Sequence, residues 1–224
     1  MTNSAERPSK RRAGRRKPEQ DADARAKSEL RAAMRGTVAG IKMFPRARRA
    51  QALAAAVVRA PALAGARCVL AYRALADEID VDPLVRALRA RGVRVAFPRV
   101  DDRGALELLE IAAADPLATE YWSRDRFGIL SPRPEAHGVV RLGPLDLDAV
   151  IVPGRAFDAR GARLGRGKGF YDDLIARLRP DARRATVGVC FREQLVDAVP
   201  ESAHDRRVAF MAVEGRLLQG TRKA

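Results

Sequence analysis

Hydrophobic positions along this chain of 224 residues follow two rhythms, and the places where one gives way to the other mark its elements. From about Ala22 to Met34 the stretch DADARAKSELRAAMR holds good helix formers and no glycine or proline, with Leu30 and Met34 four positions apart, so a first helix is expected. After the breakers of GIKMFP, the run PRARRAQALAAAVVRA opens on a proline suited to a first helical turn and closes before Pro61, predicting a second. The rhythm then changes, because CVLAY (68–72) is a short unbroken apolar run of the kind a strand buried on both faces needs. VDPLVRALRARG follows as a helix with its own glycine stop, and VRVAF (93–97) is the next strand. Strand, helix, strand implies a parallel pair with a right-handed crossover.

From about Pro98 to Leu142 the pattern is irregular, and apart from a strand at LELLEI this span is expected to wrap the domain as loop. DAVIV (148–152) is again a buried strand, FYDDLIARLR a helix with Phe170, Leu174, Ile175 and Leu178 on one face, ATVGVCF (185–191) a strand, and VAFMAV (208–213) the last strand. There is no internal repeat. The alternation predicts an α/β fold, a three-layer α/β/α domain with a mostly parallel central sheet, whose ligands belong at the C-terminal ends of the strands.

Composition sharpens this only in part. A chain 47% hydrophobic can build a packed core. The formal charge of +15 suggests a polyanion partner, yet nine Lys or Arg against four acids fall in the first 27 residues, where no apolar period exists. Residues 1–26 are therefore expected to be a disordered basic tail ahead of a single domain over 27–224, and nucleic acid is not expected as the main partner. Cys68 and Cys190 each lie inside an apolar run and read as buried thiols of a reducing compartment. No run approaches the roughly 20 apolar residues of a membrane span, and no signal peptide is evident, so a cytoplasmic protein, monomeric or weakly dimeric, is expected.

The chemistry concentrates at 161–173, GARLGRGKGFYDD. Glycines at 165, 167 and 169 remove every second side chain, which lets backbone N–H groups approach an anion, while Arg163, Arg166 and Lys168 add charge. The spacing fits neither a Walker loop, since Gly169 stands where Ser or Thr should follow Lys168, nor the G-x-G-x-x-G dinucleotide fingerprint. A solvated surface loop is the plainer account. Against it stands the position of the loop, after a buried strand and before a helix, where first-turn amides and the helix dipole favour an anion.

Acids surround this loop in the sequence. Asp172 and Asp173 can simply complement the helix dipole, although one of them, with Asp205, could supply oxygens to Mg²⁺. His204 reads as structural. After the first strand, ALADEIDVDPL offers Asp80 or Asp82 as helix caps, whereas Glu78 lies too early to cap and could accept hydrogen bonds from an amino-heterocycle.

Together these residues carry a resemblance. The run VPGRAFDARGARLGRGKGFYDDLI is similar, without gaps, to the signature of the 5-formyltetrahydrofolate cyclo-ligase (5,10-methenyltetrahydrofolate synthetase) family, and KSELR, YRALADEID, FPRV, FGILSPRPE and VPESAHDRRV accompany it in the same order. The likeness runs from Lys27 onward. It implies an enzyme of folate one-carbon metabolism that uses ATP and Mg²⁺, with 5-formyltetrahydrofolate and ATP as its ligands and a fold like the sugar-phosphate isomerase and CoA-transferase group. Carried over, the family's nucleotide contacts fall on Lys27, Arg31, Arg163, Leu164, Gly165, Arg166, Gly167, Lys168, Gly169, Phe170 and Tyr171, with Arg163, Arg166 and Lys168 as catalytic cations. The folate contacts fall on Arg73, Glu78 and 166–170, and the metal carboxylates on Asp172 and Asp205. Two departures stand out: GILSPRPE is longer and more basic than the family's turn, and Arg73 replaces a more often apolar residue. The alternatives are a non-catalytic RNA-associated protein using the basic tail, and an isomerase or CoA-transferase relative that needs no ATP.

Overall fold

The structure, a computed structural model, describes residues 18–125 and 128–220. Its helices are α1 (Pro18–Ala39), α2 (Met43–Val57), α3 (Asp82–Ala90), α4 (Phe170–Arg177) and the one-turn α5 (Pro180–Arg184). Its strands are β1 (Cys68–Leu70), β2 (Arg94–Val100), β3 (Leu106–Ile111), β4 (Trp122–Arg124), β5 (Leu130–Pro132), β6 (Val139–Leu142), β7 (Ala149–Pro153), β8 (Ala156–Phe157), β9 (Arg163–Leu164), β10 (Thr186–Cys190), β11 (Phe210–Val213) and β12 (Arg216–Gln219).

Eight strands form one sheet in the spatial order β12, β11, β10, β7, β1, β2, β3, β6. The inner run from β11 to β2 is parallel, and β12, β3 and β6 close the two sides antiparallel. Every residue of β1 and β10 is buried, as strands covered on both faces must be. Alternation divides their side chains between two cores. Val69, Val95, Ile151 and Val187 meet Leu53 and Val57 of α2 and Leu84, Val85 and Leu88 of α3. Leu70, Ala96, Val150, Val152 and Met211 meet Leu174 and Ile175 of α4 on the opposite side. The three layers expected from the apolar rhythm are present, with the predicted strands in place.

The irregular middle is more regular than its breakers suggested. β6 pairs with β3 as an edge strand, and β4 and β5 form a small hairpin that sets the Trp122 ring edge-on to Phe97 at 4.8 Å between centroids. Neither shows in the sequence, because β6 buries no residue fully and the hairpin strands have three residues each. Pro98 is accommodated because β1 pairs only with Arg94, Val95 and Ala96, so the proline lies beyond that ladder. VAFMAV is not the last strand. The chain turns at Glu214 and Gly215, both at positive φ (47° and 80°), and returns as β12. That is the backbone of a tight hairpin, written with Glu where Asn or Asp would have announced it.

α1 begins at Pro18, inside the segment expected to be tail, while residues 1–17 lie outside the described residues. Among the described residues no helix is long and apolar enough to cross a membrane. Cys68 and Cys190 are unpaired and buried, and burial pushes their thiols up to about 11 and about 12.

Gly188 in β10 leaves the space that the Phe157 ring occupies: a Cβ there would lie 2.4 Å from the ring, which is itself fully buried. Gly188→Ala is expected to lower stability by about 1–3 kcal/mol through overpacking. Urea denaturation would check this, and an unchanged midpoint would mean the ring has room to retreat.

Candidate active site

The C-terminal end of β7 sets the site. Beyond Pro153 the chain makes a short hairpin, β8 and β9, whose turn is organised by Asp158, 1% exposed, with Oδ1 accepting from the amides of Arg160 (2.9 Å) and Ala162 (3.2 Å) and Oδ2 from that of Val199 (3.0 Å). Gly161 belongs to this scaffold rather than to a ligand cradle, since a Cβ there would meet the Val208 carbonyl oxygen at 2.3 Å. Past β9 the loop Gly165–Gly169 runs into α4. Gly167 (φ 95°) and Gly169 (φ 74°) take left-handed conformations, and Gly169 is the residue that caps α4. The amides of the helix's first turn, which have no intrahelical acceptors, open onto the same side.

Arg163 is the buried cation of this loop. Its side chain is 4% exposed, Nη2 donates to Asp172 Oδ2 at 2.9 Å, and its guanidinium carbon lies 5.8 Å from the Tyr171 ring centroid. Gly165 is small because a Cβ would approach Arg163 Nη1 to 2.6 Å. Arg163 Nε and the Tyr171 hydroxyl are buried without a hydrogen-bond partner, and such groups cost free energy until a ligand or water satisfies them. Burial and the nearby Glu78 carboxylate push the Tyr171 hydroxyl well above the usual phenol range. Lys168 is exposed and, among the described residues, has no hydrogen-bond or ion-pair partner.

Residues far apart in sequence converge here. From α1, Lys27 Nζ reaches Asp205 Oδ2 at 2.5 Å and Ser202 Oγ at 2.9 Å, and Arg31 Nε donates to the Gly165 carbonyl at 2.8 Å. From the turn after β1, Glu78 Oε1 receives Arg166 Nε at 3.2 Å while its Oε2 accepts the Leu75 amide at 3.0 Å. Burial raises the Glu78 carboxyl above the ordinary range, opposed by the Leu75 amide and Arg166. The loop, α1 and the Glu78 turn thus meet in one place. Phe170 is half-buried at the head of α4, whereas Leu164 packs into a small core with Leu30 and Met34 and offers a ligand no side chain.

Other expectations resolve differently. Arg73 lies over the Trp122 ring at 5.0 Å and donates to Asp82 at 2.8 Å, so its guanidinium serves the β4–β5 side of the site. Asp80 accepts the Asp82 amide at 2.9 Å in the turn ahead of α3, whose N-cap position is taken by Val81 without a side-chain cap, so neither Asp80 nor Asp82 is the cap expected; Asp173 and His204 are exposed. Asp172 and Asp205 are linked through the neighbouring Arg206 amide, which donates to Asp172 Oδ1 at 3.0 Å. No group of three or more His, Cys, Asp or Glu gathers among the described residues. Asp172, paired with Arg163, and Asp205, paired with Lys27, could supply the one or two protein carboxylates that magnesium takes, the rest of its shell being water and phosphate oxygens.

Sequence reasoning missed Arg155, Asp77 and Arg46. Arg155 Nη1 binds Asp77 Oδ2 at 2.6 Å, and Arg46 Nη2 holds the Glu78 turn through the carbonyls of Ala76 (2.5 Å) and Glu78 (3.2 Å). Adjacency of Asp77 to Glu78 was the available signal for the first pair. A separate cavity of about 480 Å³, lined by Arg67, Cys68, Arg94, Asp148 and Arg179 among others, opens at the opposite, N-terminal edge of the strands. Its charges are largely paired internally, Arg94 with Glu110 and Arg179 with Asp148, so it does not compete for the role.

Comparison with known proteins identifies the family. The profile of the 5-formyltetrahydrofolate cyclo-ligase family matches residues 23–214. The 5-formyltetrahydrofolate cyclo-ligase of Mus musculus is 24% identical over 189 residues, covering 82% of this chain and 91% of that protein. The enzyme of the same name from Escherichia coli K12 is 30% identical over 147 residues, covering 65% and 76%. The solution structure of Aquifex aeolicus 5,10-methenyltetrahydrofolate synthetase superposes with a TM-score of 0.72 at 27% identity, covering 88% of this chain and 94% of that one. The chain belongs to the 5-formyltetrahydrofolate cyclo-ligase family.

Gly165→Ala is expected to push the Arg163 guanidinium off Asp172 and to lower stability by about 1–3 kcal/mol. Urea denaturation measures the loss, and a variant as stable as the wild type would mean that the loop absorbs the methyl group without disturbing the pair.

Proposed function

We propose that this chain closes 5-formyltetrahydrofolate to 5,10-methenyltetrahydrofolate at the expense of ATP, releasing ADP and phosphate. The observation that carries the reading is the convergence of Arg163, Arg166 and Lys168 ahead of α4 with Glu78 within hydrogen-bond reach of Arg166. A phosphate-sized anion and an amino-heterocycle are thereby offered neighbouring places at one sheet edge. The names of the related proteins supply the substrate.

The chemistry explains the need for cations. A formyl group on N5 is amide-like, so its carbon is a poor electrophile and its oxygen a poor leaving group. In the proposed reaction that oxygen attacks the γ-phosphorus and ADP departs. N10 then adds to the activated formyl carbon, phosphate leaves with the former formyl oxygen, and N10 gives up its proton. Negative charge on the transferring phosphoryl group is held by Arg163, fixed beforehand by Asp172, by Lys27 and Arg31 from α1, and by the exposed Arg166 and Lys168 of the loop. Glu78 orients the heterocycle so that N10 stands within attacking distance. Asp172 and Asp205 would hold Mg²⁺, whose chemistry when bound is to offset charge on the phosphate oxygens. A cytoplasmic location and a monomer or weak homodimer, expected from the sequence, are part of the same proposal.

The test is the absorbance rise of methenyltetrahydrofolate on mixing the protein with ATP, Mg²⁺ and 5-formyltetrahydrofolate. No rise in the complete mixture, or a rise that does not need ATP, would overturn the reading. Lys168→Ala is expected to lower kcat by about 10²–10³-fold, the loss typical of one oxyanion-stabilising donor. Because Lys168 is exposed, the thermal midpoint should not move. Turnover at the wild-type rate would remove Lys168 from the mechanism.

A further inference from the structure

Neither Arg155 nor Asp77 belongs to the ligand contacts proposed above, yet together they hold the residue that does. Arg155 Nη1 binds Asp77 Oδ2 at 2.6 Å, Asp77 Oδ1 accepts Arg166 Nη2, and Arg166 Nε reaches Glu78 Oε1 at 3.2 Å. The four side chains form an unbroken row of alternating charge. Their exposures differ in a telling way: Arg155 12%, Asp77 23% and Glu78 10%, but Arg166 39%. Arg166 also stands between Gly165 and Gly167, the latter at φ 95°, whereas Arg155 sits in the short link between β7 and β8 with its own amide tied to the Leu164 carbonyl at 2.7 Å. Arg166 is the member of the row that is free to move.

In this arrangement Arg166 Nε covers a Glu78 oxygen that the heterocycle needs, and a triphosphate competes with the two carboxylates for the same guanidinium. If Arg166 leaves, Asp77 still has Arg155, and Glu78 keeps only the Leu75 amide, so the one carboxylate left without a cation is the one that faces the folate. We propose that Arg155 and Asp77 form a counter-ion exchange that couples the two ligand sites: the triphosphate draws Arg166 off Glu78, Arg155 keeps Asp77 paired, and Glu78 is released to the folate. The proposal rests on the function given above for the identity of the ligands. Arg155 is a positioning residue, acting through Asp77 on Arg166. By linkage the effect is reciprocal, and each ligand must tighten the other by the same factor.

The sign of the effect differs between the two partners. Without Arg155, Asp77 has only Arg166 and grips it harder, so each ligand alone binds more weakly and the coupling factor grows. Without the charge of Asp77 the grip loosens, so the factor falls toward one and the folate alone binds at least as well as to the wild type. A merely structural pair would weaken binding in both variants and leave the factor unchanged.

Isothermal titration of the full chain with 5-formyltetrahydrofolate, with a magnesium complex of a non-hydrolysable β,γ-methylene ATP, and with each in the presence of the other, measures the factor directly. About a tenfold mutual tightening is expected in the wild type, a larger factor in Arg155→Met, a smaller one in Asp77→Asn, and the wild-type value again in Arg155→Lys. Independent binding of the two ligands to the wild type, or a shift of the factor in the same direction in both variants, would overturn the exchange. Should Arg155→Met not fold, the wild type and Asp77→Asn decide the matter alone. Failure of the wild type to bind either ligand would overturn the proposed function itself, and the exchange with it.

Discussion

Lys27, Arg155, Arg163 and Arg166 cannot share one sheet edge unless carboxylates stand between them, and this constraint shapes the whole face of the molecule. Each cation is matched with an acid from a different part of the chain: Lys27 with Asp205, Arg155 with Asp77, Arg163 with Asp172, and Arg166 with both Asp77 and Glu78. Like charges at such distances in a half-dry environment would repel strongly, whereas the alternating pattern stores them in place. The cations are thus held in place by carboxylates, and under the proposed function an anion would exchange for existing partners instead of recruiting scattered side chains from water.

The parallel sheet makes the assembly geometrically possible. β1 and β7 are neighbours, so the segment that leaves β1 with Asp77 and Glu78 and the segment that leaves β7 with Arg155 and the glycine loop emerge side by side at the same edge. β10 and β11 extend the edge, and the segment preceding β11 carries Asp205 to it. α1 joins the larger core only near its end, through Val38. It is seated mainly through Leu30 and Met34 against a small cluster of Ala156, Ala162, Leu164 and Val199, and through Lys27 and Arg31.

What the sequence disclosed follows from the range of each signal. The buried runs at 68–72, 93–97, 148–152 and 185–191 were legible because a strand covered on both faces leaves an unbroken apolar word. β6 was not, since an edge strand with Val140 at 48% exposure has no such word to write. The glycine loop stood out from local spacing as a place before a helix where backbone amides are uncovered, but spacing could not separate the glycines by purpose. Gly161 and Gly165 are small for the sake of Val208 and Arg163, and Gly167 and Gly169 for the sake of their backbone angles. Arg155 stayed invisible because its partner is 78 positions away, and a lone arginine in VPGRAFD carries no mark of what it will meet.

The length of α1 ahead of Lys27 has a practical side. Lys27 lies nine residues into a helix that starts at Pro18, about 14 Å along its axis at 1.5 Å per residue. Any purification handle or fluorescent fusion joined ahead of Pro18 is therefore mounted on a stiff lever whose far end touches the Asp205 segment and the glycine loop. A handle appended after β12, the outermost strand on the other side of the sheet from β6, acts on no such lever, and that terminus is the safer place for labels in quantitative work on this protein.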